Sequence, residues 1–264
     1  MNFLSVDKQT FLITGVSNKK SIAFFTAQIL RENGATCLFT AETPEHSERI
    51  QKLFPDSEVF LLDVREEKQV QNLAKTLTAK EVKLSGLLHS MAFANYAAGI
   101  KPFHLTDWKD YVEASQISQF SLVALSGALK DLFLNEASVV TVSISNTKVA
   151  SYGYMGPIKA ALETTVSYLS KSFSEFSRVR FNAVCAGPLK TSASAGIPHY
   201  IENYLYAEKL TLRKEALKTA EVAQTIAFLL SQKSSGINGT GILVDAGMAL
   251  NTFDQELVFR SVNS

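Results

Sequence analysis

The stretch TFLITGVSNKKSIAFFTAQILRE at residues 10–32 decides the fold. Its first five residues, Thr10–Thr14, are apolar or β-branched without polar alternation, which predicts a strand buried on both faces. Ser21–Glu32 is predicted to be a helix, because Asn33 and Gly34 directly after it are typical of a helix end. A buried strand followed by a helix is the first half of a parallel β-α-β unit.

The same alternation of short apolar strands and longer helices continues along almost the whole chain. Six further strands are predicted at Thr36–Thr40, Val59–Leu62, a run that ends in Leu87–Ser90, Ser138–Ser143, Val179–Val184 and Gly241–Val244. Helices are predicted at Pro44–Leu53, Glu66–Ala79, Trp108–Leu132, a segment that ends near Phe176, and Thr219–Leu230. We therefore expect an α/β fold: a single doubly wound, Rossmann-like domain over residues 1–264, with a parallel seven-stranded sheet and helices on both faces. In such a fold, ligands bind at the carboxyl ends of the strands.

Composition restricts the classes of function. Of the 264 residues, 46% are hydrophobic and 19% are charged, as in a globular protein with a large core. The formal net charge of +1 gives no global basic field for nucleic acid or an anionic membrane. Cys37 and Cys185 stand far apart without a Cys-x-x-Cys pattern, so we expect no disulfide framework, no metal site and a reducing compartment. The chain shows no signal-like start and no apolar run of about 18 residues, which predicts a cytoplasmic protein without membrane insertion.

The turn after the first strand is a candidate phosphate site. Gly15 ends the strand, and a glycine lets the backbone approach a ligand closely. The helix that follows offers free N–H groups and the positive end of its dipole to an anion. However, Gly15 is the only glycine between Thr14 and Ala23, so the usual Gly-x-Gly-x-x-Gly pattern is missing. From the spacing alone, a plain turn that links strand to helix remains an equal alternative.

Acidic residues follow or end the second and third predicted strands. Glu42 is placed to accept hydrogen bonds from an adenosine ribose and to repel a 2′-phosphate. Because Thr43–His46 contains no arginine to bind such a phosphate, the sequence favours NADH over NADPH. Asp63 is placed to accept a hydrogen bond from an adenine amine. The alternatives are a solvated loop acid for Glu42 and a helix cap for Asp63.

Tyr152 and Lys159 are the candidate reacting pair, just beyond the fifth strand. Tyr152 is expected just before a helix that begins around Gly156 and Pro157, and Lys159 inside that helix. Seven residues on one helix turn through about 700°, roughly 20° short of two turns, so both side chains could project to one side. A tyrosine with a pKa of about 10 can donate a hydrogen bond to an oxygen that gains negative charge. A nearby ammonium would lower that pKa, and it would also hold ribose hydroxyls. Taken alone, such a pair is more often a surface feature, and its position in the fold is what favours a function.

These segments together resemble the bacterial enoyl-acyl-carrier-protein reductases, a divergent branch of the short-chain dehydrogenase/reductase superfamily, over nearly the full length. That branch has a stretched phosphate loop without the usual glycines, as in TGVSNKKSIA at residues 14–23. It uses Tyr-(x)6-Lys where ordinary members use Tyr-(x)3-Lys, and Met155 occupies the ordinary tyrosine's position here. The other similar segments are Leu62–Val64, His89–Asn95, Ile117–Leu122, Ala186–Thr191 and Val244–Gly247.

The resemblance implies a reaction, a cofactor and an assembly. NADH would deliver hydride to the β-carbon of a trans-2-enoyl thioester, carried on acyl carrier protein or CoA. Tyr152 would stabilise the enolate, and Lys159 would bind the nicotinamide ribose. The family's homotetramer is expected through the two long helices near Trp108–Leu132 and Gly156–Phe176.

Position and resemblance together give two sets of site residues. The expected cofactor contacts are Gly15, Ser21, Ile22, Glu42, Asp63, Val64, Ser90, Met91, Ala92, Lys159, Pro188 and Thr191. The expected substrate contacts are Phe93, Ala94, Ile144, Tyr152, Met155, Ile197, Tyr200, Ile201 and Tyr204.

A substrate-binding helical segment is expected at about residues 192–218. Five of its residues recur at helical spacing and give an apolar face for an acyl chain: Ile197, Tyr200, Ile201, Tyr204 and Leu205. A plain amphipathic core helix shows the same pattern and remains an equal alternative. Four basic residues follow, which we interpret as a solvated face, with docking of an acidic carrier protein as the alternative: Lys209, Arg213, Lys214 and Lys218.

One position departs from the family. Members usually carry a second tyrosine at the end of the fifth strand, but Ile144 stands there and residues 137–151 contain no tyrosine. Three hypotheses therefore remain: an enoyl thioester reductase, a reductase of another activated alkene or carbonyl, and a catalytically weak NAD-binding paralogue. Retention of both Tyr152 and Lys159 speaks against the third, because a binding module needs neither.

Overall fold

Seven parallel strands form one sheet in the computed structural model, which describes residues 3–191 and 194–263. In chain order, β1 to β7 are Thr10–Ile13, Thr36–Ala41, Val59–Leu61, Leu84–His89, Phe133–Ile144, Arg180–Ala186 and Gly241–Val244. Their order across the sheet is β3-β2-β1-β4-β5-β6-β7. The predicted doubly wound α/β fold is thereby confirmed. Residues 192 and 193, the start of the predicted substrate segment, and the terminal residues 1, 2 and 264 of the predicted domain lie outside the described residues.

Helices cover both faces of the sheet. In the described residues, α1 to α9 are Ile22–Glu32, Pro44–Leu53, Glu67–Ala79, Trp108–Ser115, Ser121–Ala128, Met155–Phe173, Tyr200–Leu210, Thr219–Leu230 and Gln255–Val262. Consecutive residues of β1 explain this arrangement, because Phe11 and Ile13 enter one core while Leu12 enters the other. The first core is closed by α1 and α8, and the second by α3, α5 and α6. Both faces of β1 are therefore buried, as the lack of polar alternation predicts.

The order of strands reverses between β1 and β4, and hydrogen bonds join their ends at that point. The Thr14 amide and hydroxyl both donate to the Leu88 carbonyl oxygen, each at 3.0 Å. The Ser90 amide donates to the Thr14 hydroxyl at 3.1 Å. A reversal of this kind leaves a crevice beyond the strand ends, because the two connecting helices leave on opposite faces.

The long helix predicted at Trp108–Leu132 is interrupted and shorter than expected. A π-helical turn, Gln116–Phe120, separates α4 from α5, and α5 ends at Ala128. One serine of the turn and the first residue of α5 reach the ends of the strands. The Ser118 hydroxyl accepts a hydrogen bond from the Phe93 amide at 2.9 Å, and the Ser121 hydroxyl lies 2.8 Å from Nε2 of His89.

Strand β5 begins at Phe133 instead of the predicted Ser138, because Phe133 pairs with Leu84 of β4. Residues 134–136 of this early part are exposed, so they lack the apolar pattern that marks a buried strand. The prediction also extended the helix now labelled α6 to Phe176, whereas it ends at Phe173.

The terminal helix α9 was not predicted. None of its residues is buried, so its apolar positions are not explained by packing within one chain. A cap signal was available, since the Asp254 side chain accepts a hydrogen bond from the Leu257 amide.

Candidate active site

A cavity of about 500 Å³ lies at the carboxyl ends of the strands, beside the reversal point. It brings together most of the residues predicted from the sequence. The predicted residues that line it are Gly15, Ile22, Glu42, Asp63, Val64, Ser90, Met91, Ala92, Phe93, Ala94, Ile144, Tyr152, Met155, Lys159, Thr191, Ile197 and Tyr200. Four predicted residues do not line it: Ser21, Pro188, Ile201 and Tyr204.

Gly15 lines the end of the cavity beside the turn after β1. Its φ of +79° lies in the left-handed region that favours glycine. A Cβ at Gly15 would stand 1.8 Å from the Ser90 carbonyl oxygen, so any side chain would push β1 and β4 apart. The Ser21 hydroxyl caps α1 by accepting from the Phe24 amide at 3.2 Å and donating to the Asn18 carbonyl oxygen at 2.8 Å. Ser21 thus shapes this turn from behind the cavity wall.

An arginine that sequence reasoning missed binds the predicted acidic residues. The Arg65 guanidinium lies 2.7 Å from a carboxylate oxygen of Glu42, 2.8 Å from one of Asp63 and 2.9 Å from one of Glu113. Its hydrogen bonds lower the pKa of Asp63, and the surrounding carboxylates raise the pKa of Arg65. The prediction considers arginines only within Thr43–His46, whereas Arg65 follows β3 and its guanidinium lies beside Glu42.

Tyr152 and Lys159 reach the cavity from two different elements. Tyr152 ends a single 3₁₀ turn, Ala150–Tyr152, and Gly153 follows with φ +64° and ψ −149°. Helix α6, which carries Lys159, begins only at Met155. The sequence predicts Tyr152 just before a helix and Lys159 inside it, and the structure confirms both positions. The rotation along one continuous helix therefore does not explain how both side chains come to line the cavity.

Tyr152 keeps its proton over the physiological range. Burial raises the pKa of Tyr152 to about 12, and the neighbouring Tyr200 adds to that rise. The expectation that an ammonium lowers this pKa is wrong, because the loss of hydration outweighs any such attraction. In the residues that the structure describes, the Tyr152 hydroxyl has no hydrogen-bond partner, while those of Tyr96 and Tyr200 donate to the carbonyl oxygens of Tyr152 and Leu189. The hydroxyl of Tyr152 is thus available to a ligand.

Lys159 is buried at the inner wall of the cavity. Its Nζ donates to the Val142 carbonyl oxygen at 2.7 Å. Burial lowers the pKa of Lys159 to about 8, and the nearby carboxylate of Glu163 opposes that shift. Glu163, one helical turn further along α6, also accepts a hydrogen bond from the Ser143 hydroxyl. Sequence reasoning missed Glu163, although its spacing of four residues from Lys159 is the usual one for contact on a helix.

A buried histidine supports the segment after β4. His89 is fully buried, with Nδ1 at 2.8 Å from the Thr141 hydroxyl and Nε2 at 2.8 Å from the Ser121 hydroxyl. Burial and the charge of Lys159 lower the pKa of His89 to about 3. The ring is therefore neutral at pH 7 and connects β4, β5 and α5 without adding charge to the site.

The predicted apolar face of the substrate segment divides in two. Helix α7 begins only at Tyr200, so Ile197 lies outside it and the five predicted residues do not form one helical stripe. Ile197 and Tyr200 line the cavity, whereas Ile201 is 49% exposed. The Tyr200 hydroxyl both accepts from the Leu189 amide and donates to its carbonyl oxygen, each at 2.8 Å. Ile201 and Tyr204 therefore stand away from the cavity in this structure.

Residues 3–191 and 194–263 contain no group of three or more histidine, cysteine or acidic side chains that could hold a metal ion. None of the helices in this part of the chain combines the length and the apolar character needed to cross a membrane. Both cysteines, Cys37 and Cys185, are buried free thiols.

Comparison with known proteins agrees with this geometry. A family model described as enoyl-(acyl carrier protein) reductase matches residues 15–249. The chain is 34% identical over 254 residues to the enoyl-(acyl-carrier-protein) reductase (NADH) of Nostoc sp. strain PCC 7120, covering 92% of this chain and 97% of the relative. It is 31% identical over 251 residues to the NADPH enzyme of Staphylococcus aureus strain MRSA252, covering 92% and 98%.

The fold is also similar to a solved relative. The crystal structure of an enoyl-(acyl-carrier-protein) reductase (NADH) from Aquifex aeolicus VF5 superposes with a TM-score of 0.87 at 31% identity, covering 93% of this chain and 98% of the other. Because the family model spans most of the sequence and these relatives align along nearly their whole length, the chain belongs to the enoyl-(acyl carrier protein) reductase family.

Proposed function

We propose that this chain reduces the trans-2 double bond of enoyl thioesters in fatty acid synthesis, as a nicotinamide-dependent oxidoreductase acting on CH–CH groups. One observation carries the proposal: a single cavity joins Tyr152 and Lys159 to the turn at Gly15 and to the ends of the central strands. A protein that only binds a dinucleotide needs neither side chain there.

The residues of the cavity fit a dinucleotide by their chemistry. Gly15 brings bare backbone to the cavity wall, and the first turn of α1 points its N–H groups towards the same end. We assign the phosphates to Gly15, Ile22 and Thr191. The adenosine is assigned to Val64 and to the acidic corner, which is the cluster of Glu42, Asp63 and Glu113 around Arg65. The segment Ser90–Ala92 and Lys159 would hold the nicotinamide ribose. When bound, the cofactor supplies the hydride that is added to the β-carbon of the substrate.

Tyr152 is assigned the role of hydrogen-bond donor to the thioester carbonyl. Addition of hydride at the β-carbon moves negative charge onto that carbonyl oxygen. Because the Tyr152 hydroxyl is protonated and has no partner among the described residues, it can donate to this oxygen without first breaking another bond. A donor that is already in place stabilises the charge more than water does, since it needs no reorganisation.

Lys159 is assigned to the cofactor as a cation. With a pKa of about 8, its amine is mostly protonated at pH 7 and can bind ribose hydroxyls. Its hydrogen bond to the Val142 carbonyl fixes the side chain. The carboxylate of Glu163 raises the pKa of Lys159 and so stabilises the protonated amine. We class Glu163 as a positioning residue, since Glu163 does not line the cavity.

Apolar side chains are proposed to bind the acyl chain. Phe93, Ala94, Met155 and Ile197 line the cavity together with Ile144. Ile144 offers no hydroxyl, so Tyr152 is left as the donor to the carbonyl. The same substitution favours a second candidate, the reduction of another activated alkene or carbonyl whose oxygen needs only one donor. We propose that residues 194–218 form the substrate segment of a single domain, with Tyr204 and Ile201 contributing only if the segment closes further.

NADH is the proposed cofactor because the adenosine corner is acidic. Glu42, Asp63 and Glu113 surround one guanidinium, so the cluster carries three negative charges against one positive charge. A 2′-phosphate placed there would face a net negative cluster. The relatives are divided between NADH and NADPH enzymes, so the choice depends on this corner and not on the family.

A homotetramer and a cytoplasmic location complete the proposal. Large aromatic side chains are exposed on both helices: Trp108 of α4 is 79% exposed and Tyr168 of α6 is 75% exposed. These exposures support the predicted assembly through the two helices. The free thiols of Cys37 and Cys185 support a reducing compartment.

Replacement of Tyr152 by Phe tests the reaction and the donor together. With crotonyl-CoA or a carrier-bound enoyl thioester, we expect NADH oxidation by the unaltered chain. Tyr152→Phe should lower kcat by roughly 10² to 10³, as for removal of one oxyanion donor. Tight NADH binding without consumption of any enoyl thioester would reject the proposed reaction, and unaltered turnover in the variant would reject Tyr152 as the donor.

Replacement of Glu163 by Gln tests the charge on Lys159. Glu163 raises the pKa of Lys159, so its loss should lower that pKa further below about 8. The ammonium form of Lys159 is the form that binds the cofactor. The alkaline limb of the pH profile of kcat/KM should therefore shift to lower pH. Glu163→Asp keeps the carboxylate and serves as the control. An alkaline limb at the same pH in Glu163→Gln would contradict the assignment.

Opposite changes at the acidic corner test cofactor choice. Glu42→Ala removes one of the three carboxylates around Arg65, so the corner repels a 2′-phosphate less. The preference for NADH over NADPH should therefore narrow roughly tenfold, in line with one charge-assisted hydrogen bond. Arg65→Gln leaves the carboxylates unopposed and should widen the same preference. The ratio of kcat/KM for the two cofactors measures both effects. An unaltered chain that prefers NADPH, or two variants that shift the ratio in the same direction, would overturn this explanation.

The proposed assembly is tested by light scattering after gel filtration. We expect the mass of four copies at micromolar concentration. Trp108→Glu buries a charge in the proposed contact and should give smaller species. A monomer in the unaltered chain would reject the tetramer.

A further inference from the structure

A groove of about 610 Å³ lies next to the cavity, on the other side of the phosphate turn. One wall is formed by helix α2, and the second wall by Lys190, Thr191, Ser194, Tyr200 and Ile201. Five cations line it: Lys19, Lys20, Arg49, Lys52 and Lys190. Such a concentration is unusual in a chain whose formal net charge is only +1.

These five cations are available to a partner. All five residues are exposed, and none of them forms an ion pair with another described residue. Glu45 interacts electrostatically with Arg49. Glu208 and Glu215 line the adjoining groove together with Lys20 and Lys190. None of the described residues that line the groove itself is acidic, so its own walls carry only positive charge.

The basic residues predicted to follow the substrate segment differ in this respect. Arg213 is bound by both carboxylate oxygens of Glu221, at 2.6 and 2.7 Å. Lys214 pairs with Asp254 and also donates to the Lys209 carbonyl oxygen. Two of those four cations are thus already neutralised within the chain, which favours the interpretation of that surface as an ordinary solvated face.

The groove also opens beside the place where a substrate must enter. Thr191, Ser194 and Tyr200 line both the groove and the active-site cavity. A thioester attached to a carrier can reach the cavity only if the carrier lies against the surface next to its mouth. Exposed Ile201 adds an apolar contact at the same edge.

We propose that the groove between α2 and this second wall is the docking surface for an acidic acyl carrier protein that delivers the enoyl thioester. This inference rests on the proposed function, because it names the partner that brings that substrate. Complementary charge would guide the carrier to the groove and set the rate of encounter more than the strength of the final complex. Nucleic acid, the other common polyanion, does not explain a basic groove that joins a thioester site.

The test reverses charge on α2, away from the cofactor contacts. Arg49→Glu/Lys52→Glu should lower kcat/KM for a carrier-bound crotonyl thioester roughly tenfold, mainly through KM, and should remove the salt dependence of that reaction. The neutral N-acetylcysteamine thioester should react within about twofold of the unaltered rate, since it needs no docking. Lys68→Glu/Lys75→Glu on α3 makes the same change of charge on a distant exposed surface and should leave both substrates unaffected.

Each other outcome overturns the assignment. An unchanged carrier reaction would show that the partner docks elsewhere. An equal loss with the neutral thioester would make the groove part of the catalytic cavity, and an equal loss with crotonyl-CoA would show that it binds phosphates and not a protein. If Arg49→Glu/Lys52→Glu fails to fold, Arg49→Gln/Lys52→Gln, which removes the two charges without reversing them, should give about half the effect on a logarithmic scale.

A binding measurement separates this inference from the reaction itself. Fluorescence anisotropy of a labelled carrier protein reports docking without turnover. If the unaltered chain binds the carrier but reduces no enoyl thioester, the docking surface stands and the proposed function fails. If it turns over carrier-bound substrate while Arg49→Glu/Lys52→Glu binds the carrier as tightly as before, the docking surface fails and the function stands.

Discussion

The close contact between the ends of β1 and β4 is the constraint on which the rest of the molecule depends. Thr14 binds the Leu88 carbonyl and the Ser90 amide, and Gly15 leaves no room for a side chain against Ser90. Because the sheet reverses its order there, the helices after the two strands leave on opposite faces and open a crevice. The turn after β1, the segment after β4 and Tyr152 all reach this crevice. A side chain at Gly15 would therefore disturb the sheet and the site together.

Burial controls the charge state of the site. Loss of hydration favours the neutral form of every group, so it keeps the proton on Tyr152 and removes it from His89. Burial also lowers the pKa of Lys159, but only to about 8, because the carboxylate of Glu163 opposes the effect. The result is a neutral hydrogen-bond donor and a cation in one cavity. Neither state depends on direct contact between the two side chains.

The sequence predicts the order of elements well because most strands contain a short apolar run and a helical pattern lies between successive strands. It predicts the cavity for the same reason, since residues at the ends of parallel strands must converge. The partners of those residues were harder to predict. Arg65 and Glu42 meet only because β2 and β3 pair, and the pairing of Lys159 with Glu163 matters only because α6 is buried there.

The early start of β5 and the helix α9 show a different limit. Residues 134–136 extend a strand while exposed, so no apolar pattern marks them. Helix α9 buries nothing within one chain, and a periodic pattern has meaning only when the packing partner is present. Similarly, the periodicity from Ile197 to Leu205 predicts one helix face, whereas α7 begins at Tyr200, three residues after Ile197. Boundaries set by neighbours in space are not contained in local periodicity.

The π-helical turn at Gln116–Phe120 has a consequence for how the cavity wall can change. A π turn holds one residue more than an α turn, so it rotates everything on one side relative to the other. That rotation allows Ser118 to bind the Phe93 backbone while Ser121 reaches His89. Loss of a single residue would restore a regular helix and take one serine away from its partner, whichever residue is lost. The shape of the wall is thus set by how many residues the chain has there, and it is more sensitive to a deletion than to a substitution.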